Sequence, residues 1–212
     1  MRVILFLLRP VYYLLYHHFA WTYDLVAWTV SMGRWNGWVR IALPFLHGRV
    51  LELGYGPGHL QREMTERGLH PFGLDESRFM ARQASRRLKK AGITPRLCRG
   101  LAQSLPFAAD TFDSAVATFP AEYIFDPHTL NEVYRVLVPG GQFIIVPMAW
   151  VTGTRPLERL VAGLVRVSGW AAGPEEILAG VKTRFRAGRF EVRHELVEEN
   201  GSRVLVLVAE KM

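Results

Sequence analysis

The sequence feature that most constrains this chain is the stretch at residues 50–60, which reads VLELGYGPGHL. It is an apolar run interrupted by one acid, Glu52, and followed by three alternate glycines, Gly54, Gly56 and Gly58. Glycine has no Cβ, so it adopts positive φ angles and lets a ligand approach the backbone closely. The pattern therefore predicts a β-strand, a ligand-binding turn and the start of a helix.

The glycine spacing also bears on the type of ligand. A dinucleotide-binding fingerprint would place its third glycine at position 59, which is His59 in this chain, and the third glycine comes one residue earlier. This difference disfavours a pyrophosphate ligand. Pro57 is predicted to lie in the first turn of the following helix, where a missing N–H has no cost.

Further motifs follow in a fixed order. Asp75 ends a second short apolar segment, and residues 99–107 (RGLAQSLPF) precede an apolar run at 111–116. Residues 131–143 read NEVYRVLVPGGQF. Together with Glu52 and the glycines, this order resembles the class I methyltransferases that use S-adenosylmethionine, and residues 131–143 resemble their quinone-biosynthesis type.

The order of the elements agrees with that resemblance. Helical and strand patterns alternate from residue 50 to 147, which predicts a parallel sheet with helices on both faces. Two strand patterns at 189–197 and 202–210 flank an Asn-Gly turn and predict a hairpin. The expected fold is α/β and Rossmann-like, a mostly parallel sheet with a C-terminal antiparallel hairpin and an N-terminal helical extension.

We expect one methyltransferase domain at residues 47–212, with an acceptor-side insertion at about 148–188. Residues 1–46 are predicted to form an apolar helical extension or lid. No apolar run in residues 1–20 reaches the roughly 18 residues that a membrane-spanning helix needs, and no small-residue cleavage site follows it. This segment either packs on the domain or lies in a membrane interface with Arg2 and Arg9 at the headgroups.

The resemblance implies that S-adenosylmethionine is the cofactor. Asp75 would accept hydrogen bonds from the ribose hydroxyls, and Glu52 would order the glycine turn or the methionine end. Relatives often carry Asp where this chain has Leu101, so adenine recognition is left to the Ala102 backbone and the Gln103 side chain. The predicted cofactor-binding residues are Glu52, Gly54, Gly56, Gly58, Asp75, Ala102, Gln103 and Phe119.

Catalytic residues are harder to identify, because methyl transfer is an in-line displacement that depends on positioning. If the acceptor loses a proton, Glu122, Tyr123 or His18 could take it, and the alternative for each of the three is a structural role. Trp21, Trp28, Trp35 and Trp38 recur at helical spacing and could line an apolar acceptor pocket or simply pack in the core.

Composition narrows the class of partner. The net charge of +7 favours anionic partners, and Arg78, Arg82, Arg86 and Lys90 recur on one helix face that is either a solvated surface or an anion-binding one. A single cysteine rules out an intrachain disulfide, and the scattered histidines suggest no metal site.

The acceptor side suggests a lipophilic substrate. Residues 118–121 read TFPA and lack the Asn-Pro-Pro-Tyr type of element that suggests a nucleic-acid base as acceptor, so no nucleic acid is expected as a partner. Two very apolar segments, at 1–46 and 148–170, argue for a small lipophilic acceptor and for peripheral contact with an anionic membrane, in a cytoplasmic protein. The alternatives are a phospholipid amine N-methyltransferase at a membrane surface and a non-catalytic binding module that kept the fold.

Overall fold

A seven-stranded sheet forms the centre of the computed structural model, which describes residues 31, 33–152, 181, 184, 185 and 189–212. The strands are β1 Arg49–Leu53, β2 His70–Asp75, β3 Leu97–Arg99, β4 Phe112–Thr118, β5 Leu137–Val151, β6 Phe190–Glu199 and β7 Ser202–Lys211. The helices with described bounds are α1 Trp35–Arg40, α2 His59–Glu66, α3 Arg78–Lys90 and α4 Pro127–Val136, with 3-10 turns at Leu43–Phe45 and Glu122–Phe125.

The strand order is β3-β2-β1-β4-β5-β7-β6. The first five strands run parallel, whereas β7 pairs antiparallel with both β5 and β6. The predicted fold class, a mostly parallel α/β sheet with a C-terminal antiparallel hairpin, is confirmed. Since parallel strands end at the same edge of a sheet, the segments that follow β1, β2, β3 and β4 all begin there.

Several elements coincide with their sequence predictions. The strand β2 ends at Asp75 as predicted, β4 lies on the apolar run that begins at residue 111, and the hairpin turns at Asn200 and Gly201, whose φ angles are 46° and 71°. Two consecutive positive φ angles match the right-handed twist of the flanking strands, which is why an Asn-Gly pair is found there. The strand β5 continues past residue 147, where the predicted alternation ends, because Met148 to Val151 also pair with β7.

The start of α2 differs from the prediction for Pro57. The helix begins at His59, and Gly58 precedes it as the N-cap residue in the left-handed conformation, with φ 82°. Pro57 therefore lies in the turn and outside the helix. A left-handed residue cannot continue a right-handed helix, so the third glycine sets the boundary.

Both faces of the sheet are buried. On one face the central strands pack against α1 and the 3-10 turn after it, through Trp38, Ile41 and Leu43. On the other face α4 contributes Leu130 and Val133 to a core that also holds Val181 and Phe185. Both Val181 and Phe185 are helical.

Some predictions fall outside the described residues. They concern residues 1–30, which include His18, Trp21 and Trp28, and most of the insertion at 148–188. The division of the chain at residue 47 therefore stays a prediction. Among the described residues, no helix combines the length and apolar character needed to cross a bilayer.

Candidate functional site

The glycine turn at residues 54–58 lies where the parallel strands end. Gly54, Gly56 and Gly58 all have positive φ angles, at 72°, 51° and 82°. The Gly54 amide donates to the Leu74 carbonyl at 2.7 Å, so the turn is attached to the end of β2. Residues other than glycine rarely adopt these angles, which explains why three glycines occur in alternation.

Asp75, at the end of β2, connects the turn to the next helix. One carboxylate oxygen accepts from the Gly56 amide at 2.9 Å, and the other accepts from the Ser77 amide at 2.8 Å. The side chain is only 2% exposed. Each carboxylate oxygen has two lone pairs, so these bonds leave room for further hydrogen bonds from a ligand.

The three glycines of the turn face different surroundings. A Cβ built on Gly58 would lie 2.8 Å from the Ala84 Cβ, so this glycine allows α3 to pack tightly on the turn. Among the described residues, the nearest atom to a Cβ on Gly56 would be the Gly54 carbonyl oxygen, at 4.0 Å. No described side chain therefore fills the space beside Gly56, as a site of ligand approach requires.

Two residues that no sequence motif indicated hold the turn in place. Tyr55 is 3% exposed and packs with Met80 and Ala84 of α3. Arg87 of α3 donates from its guanidinium to the Pro57 carbonyl. Both contacts join segments that are distant in sequence, so periodicity alone could not indicate them.

Glu52 is buried beneath the turn, with 2% of its surface exposed. Its carboxylate accepts from the Gln61 amide at 2.7 Å, and Gln61 also reaches the Phe72 carbonyl at 3.3 Å. Burial raises the pKa of Glu52 to about 8, which outweighs the opposing effect of the Gln61 hydrogen bond. The described hydrogen bond of the Glu52 carboxylate is thus made with α2. The sequence feature that could have indicated Gln61 is a polar residue among the apolar positions of that helix.

The predicted adenine-binding residues follow β3. Ala102 is 4% exposed, and the Gln103 amide lies 3.5 Å from an Asp126 carboxylate oxygen at the start of α4. Leu101 is 56% exposed. The structure thus directs Gln103 toward α4 and leaves an apolar side chain in solvent at the position where relatives often carry Asp.

The segment that contains Ala102 and Gln103 is held by an ion pair on α4. Glu132 accepts from the Leu105 amide at 2.7 Å, and Arg135 donates to the carbonyls of Leu105 and Phe107 at 3.0 and 2.7 Å. The two side chains also bond each other, and the Arg135 hydrogen bond is the main reason why the pKa of Glu132 is lowered. The motif at residues 131–143 therefore has a structural role beside this loop.

Of the three catalytic candidates, the structure brings Tyr123 to the glycine turn. A Cβ built on Gly54 would lie 2.7 Å from the Tyr123 hydroxyl oxygen, so this hydroxyl lies directly over the turn. Glu122 is exposed on the same 3-10 turn, and His18 is outside the described residues. A tyrosine hydroxyl can both donate and accept a hydrogen bond.

Phe119 follows β4 and adopts a positive φ of 48°, which is uncommon for a residue with a side chain. Its amide donates to the Val146 carbonyl at 2.7 Å. Its ring packs against Trp35 and Trp38 of α1, with centroid distances of 4.3 and 6.0 Å. The structure thus places the Phe119 ring in an aromatic cluster with α1.

The described residues contain no group of three or more His, Cys, Asp or Glu side chains that could hold a metal ion.

Comparison with known proteins identifies the family of this chain. A family model described as a methyltransferase domain matches residues 50–141. The uncharacterized methyltransferase YdaC of Bacillus subtilis is 30% identical over 148 residues, which covers 67% of this chain and 80% of that protein. The demethylmenaquinone methyltransferase of Thermus thermophilus is 32% identical over 131 residues, which covers 58% of this chain and 60% of that protein.

Solved structures share the fold. The YcgJ protein of Bacillus subtilis superimposes with a TM-score of 0.57 at 18% identity, covering 83% of this chain and 99% of that one. A phosphoethanolamine N-methyltransferase of Haemonchus contortus, solved with S-adenosyl-L-methionine, gives a TM-score of 0.57 at 18% identity, covering 84% and 53% of the two chains. At these identities the likeness concerns the fold.

Proposed function

This chain belongs to the class I methyltransferases that use S-adenosylmethionine, and from that premise we propose that it methylates a small lipophilic acceptor by in-line transfer. The observation that carries the proposal is the glycine turn closed onto Asp75, with open space at Gly56 and the Tyr123 hydroxyl over Gly54. These groups offer a donor a close backbone approach and an acceptor a hydrogen-bonding partner.

The residues present fit the donor chemically. Asp75 lies at the end of β2, where its carboxylate would accept from ribose hydroxyls, and Gly56 lets a sugar or sulfur approach the backbone. Ala102 and Gln103 would face the adenine from the next loop, while Glu52 supports the turn from below through α2. Gly54, Gly58 and Phe119 complete the proposed donor site.

When bound, S-adenosylmethionine supplies an electrophilic methyl group on a positively charged sulfur. The contribution of this chain is to hold the acceptor in line with that methyl group and to exclude water. The Tyr123 hydroxyl is placed to orient the acceptor and to pass its proton to solvent, since a phenol can donate and accept at once.

The lipophilic acceptor is supported by aromatic residues beside the carboxyl end of β4. Phe119, Trp35 and Trp38 form one cluster there, and Trp35 and Phe119 are only partly buried. The Thermus relative is named for demethylmenaquinone, which is an apolar acceptor. The same proposal includes a cytoplasmic location with peripheral contact at the inner membrane face. It also includes an apolar cover beside the donor methyl group, formed by residues 1–46 and 148–170.

Calorimetry with the purified chain tests the donor half of the proposal. Titration of S-adenosylmethionine should give saturable binding, and titration of NAD should give none. Asp75→Ala should weaken donor affinity about tenfold to a hundredfold, the equivalent of one or two charged hydrogen bonds. Tight NAD binding without donor binding would contradict it.

Mass spectrometry of products tests the acceptor half. The enzyme, the donor and a total lipid extract should yield a methylated quinone precursor, and Tyr123→Phe should slow its formation more than it weakens donor binding. Methylation of ethanolamine phospholipids would instead favour the amine N-methyltransferase. Donor binding with no product from lipid or polar amines would favour a binding module.

A further inference from the structure

The positive charge of this chain is concentrated on one face that the methyl-transfer site does not use. Residues 77–109 contain no Asp or Glu, and between Arg78 and Arg99 there are eight Lys and Arg residues. The net charge of the whole chain is only +7. The positive charge of this one stretch is therefore larger than the net charge of the whole chain.

The helix α3 presents most of these cations to solvent. Its buried side chains are Met80, Ala84 and Leu88, which repeat every four residues and face the sheet. The opposite face carries Arg78, Arg82, Arg86, Lys89 and Lys90, all exposed. Successive arginines at this spacing lie one helical turn apart and form a single stripe.

Beside this stripe is a groove of about 410 Å³ between α3 and the edge strand β3. Four arginines and two small residues line it, namely Arg78, Arg82, Arg86, Arg99, Ala81 and Ser85. The lining includes no carboxylate. Ala81 and Ser85 keep the groove open because their side chains are short.

In a second groove of this chain, arginines are paired with carboxylates. It lies between α1 and α2 and is lined by Arg40 and Arg62, each of which is paired with a glutamate, Glu63 and Glu66 respectively. In the described part of the chain, no ion pair is formed by the arginines of the α3 groove. Four neighbouring arginines without a carboxylate repel one another, and an anion placed between them relieves that repulsion.

Two exposed apolar side chains adjoin the basic groove. Phe79, next to Arg78, is 38% exposed, and Leu101, two residues after Arg99, is 56% exposed. They belong to the few large hydrophobic side chains exposed among the described residues. Both lie toward the carboxyl edge of the sheet, where β2 and β3 end. Cations with interspersed apolar groups are the composition of surfaces that rest on anionic lipid.

We propose that the face formed by α3 and β3 is a docking surface for an anionic phospholipid membrane, with Arg78, Arg82, Arg86 and Arg99 around the phosphates and Phe79 and Leu101 entering the headgroup boundary. Membrane contact on this face would hold the carboxyl edge of the sheet close to the lipid. This proposal rests on the peripheral membrane contact in the proposed function and assigns it to a face, whereas donor binding does not require the arginines of α3.

Sedimentation of the full chain with vesicles tests the proposal. The chain should bind vesicles of phosphatidylcholine and phosphatidylglycerol, and should bind phosphatidylcholine vesicles weakly. Arg82→Gln with Arg86→Gln should lower the partition coefficient about 30-fold, since each cation near an anionic surface contributes about 1 kcal/mol. The matched control is Arg193→Gln with Arg203→Gln, which removes the same charge from the hairpin, where both arginines are exposed and paired. This control should change binding little.

Further arms separate lipid from other anions. Phe79→Ser should reduce vesicle binding, and donor binding by calorimetry should be unchanged in this variant and in Arg82→Gln with Arg86→Gln. Binding of duplex DNA or of inorganic phosphate through Arg82 and Arg86, without vesicle binding, would overturn the proposal. Vesicle binding that survives Arg82→Gln with Arg86→Gln but is lost on deletion of residues 1–20 would overturn it in favour of the N-terminal segment.

Discussion

At the scale of single residues, the three glycines of the turn have different structural roles. Gly58 makes room for α3, the position of Gly54 lies under the Tyr123 hydroxyl, and Gly56 borders open space. Of these three glycines, Gly56 is the one at which an added methyl group would contact a bound ligand and no described side chain. This difference makes it possible to separate an effect on binding from an effect on folding.

Gly56→Ala should therefore lower the affinity for S-adenosylmethionine at least about tenfold, with a loss of stability of only about 1–2 kcal/mol from the positive φ. The matched control is Gly68→Ala, because Gly68 has a φ of 79° and nothing within 4 Å of an added Cβ. That variant should lose the same stability and keep its donor affinity. Calorimetry and urea unfolding measure the two quantities, and equal affinities in both variants would contradict the assignment of Gly56.

Glu52 gives a second prediction at this scale, which concerns pH. Its pKa in the folded chain is about 8, above the ordinary value of 4.5, so between these values the folded state holds a proton that the unfolded state has lost. Stability should therefore fall as pH rises through this window. Glu52→Gln keeps an acceptor for Gln61 and should flatten the dependence, by an amount on the order of a few kcal/mol across the window.

Urea unfolding at a series of pH values measures the effect of Glu52→Gln, and Glu66→Gln on the exposed side of α2 serves as the control for removal of a carboxylate. Parallel pH dependences in wild type and Glu52→Gln would show that Glu52 is ionised in the folded chain at neutral pH.

At the scale of elements, the strands were predictable because their signals are local. The apolar run of β4 and the Asn-Gly turn of the hairpin both define their own boundaries. The prediction for Pro57 was wrong because the left-handed Gly58 ends the turn one residue later. The end of β5 was placed too early because Met148 to Val151 are in the strand through pairing with β7, which is distant in sequence.

In the candidate site, too, local features could be predicted from the sequence and contacts between distant segments could not. Asp75 and the glycines could be placed from spacing, since strand ends and turns are local features. The contacts beside them, from Gln61 to Glu52 of β1 and from Arg87 of α3 to the Pro57 carbonyl, depend on how the helices pack against the strand and the turn. Tyr123 could be named as a candidate from its position after β4, but its place over Gly54 depends on the tertiary fold.

The link between α4 and the loop after β3 gives the prediction at this scale. Arg135→Lys should weaken donor affinity several-fold, because a lysine cannot keep the bonds to Leu105, Phe107 and Glu132 at once. The loss of stability should be about 1–2 kcal/mol, since the pair is partly exposed to solvent.

Arg62→Lys is the control for Arg135→Lys, because Arg62 forms an exposed pair with Glu66 within α2. It should change stability and affinity little, as exposed pairs do. Calorimetry of both variants checks the result, and unaltered donor binding in Arg135→Lys would mean that the loop does not need this anchor.

At the scale of the whole molecule, the question is how the N-terminal segment relates to the domain. The described residues that follow it are firmly attached, since Trp38, Ile41 and Leu43 are buried against the strands β1, β4, β5 and β7. The burial of three such side chains contributes several kcal/mol, at about 1.5–3 kcal/mol each. Removal of residues 1–20 leaves these anchors in place, so the shortened chain is expected to fold.

The last prediction concerns that shortened chain. If residues 1–46 form part of a cover over the acceptor, deletion of residues 1–20 should leave binding of S-adenosylmethionine unchanged, because Asp75 and the glycine turn are held by β2 and α3. Turnover of the lipophilic acceptor should fall strongly, since an open site admits water to the methyl group. Calorimetry, circular dichroism and product formation measure binding, folding and activity. A folded, donor-binding chain with full turnover would show that the acceptor site lies within residues 21–212 and needs no N-terminal cover.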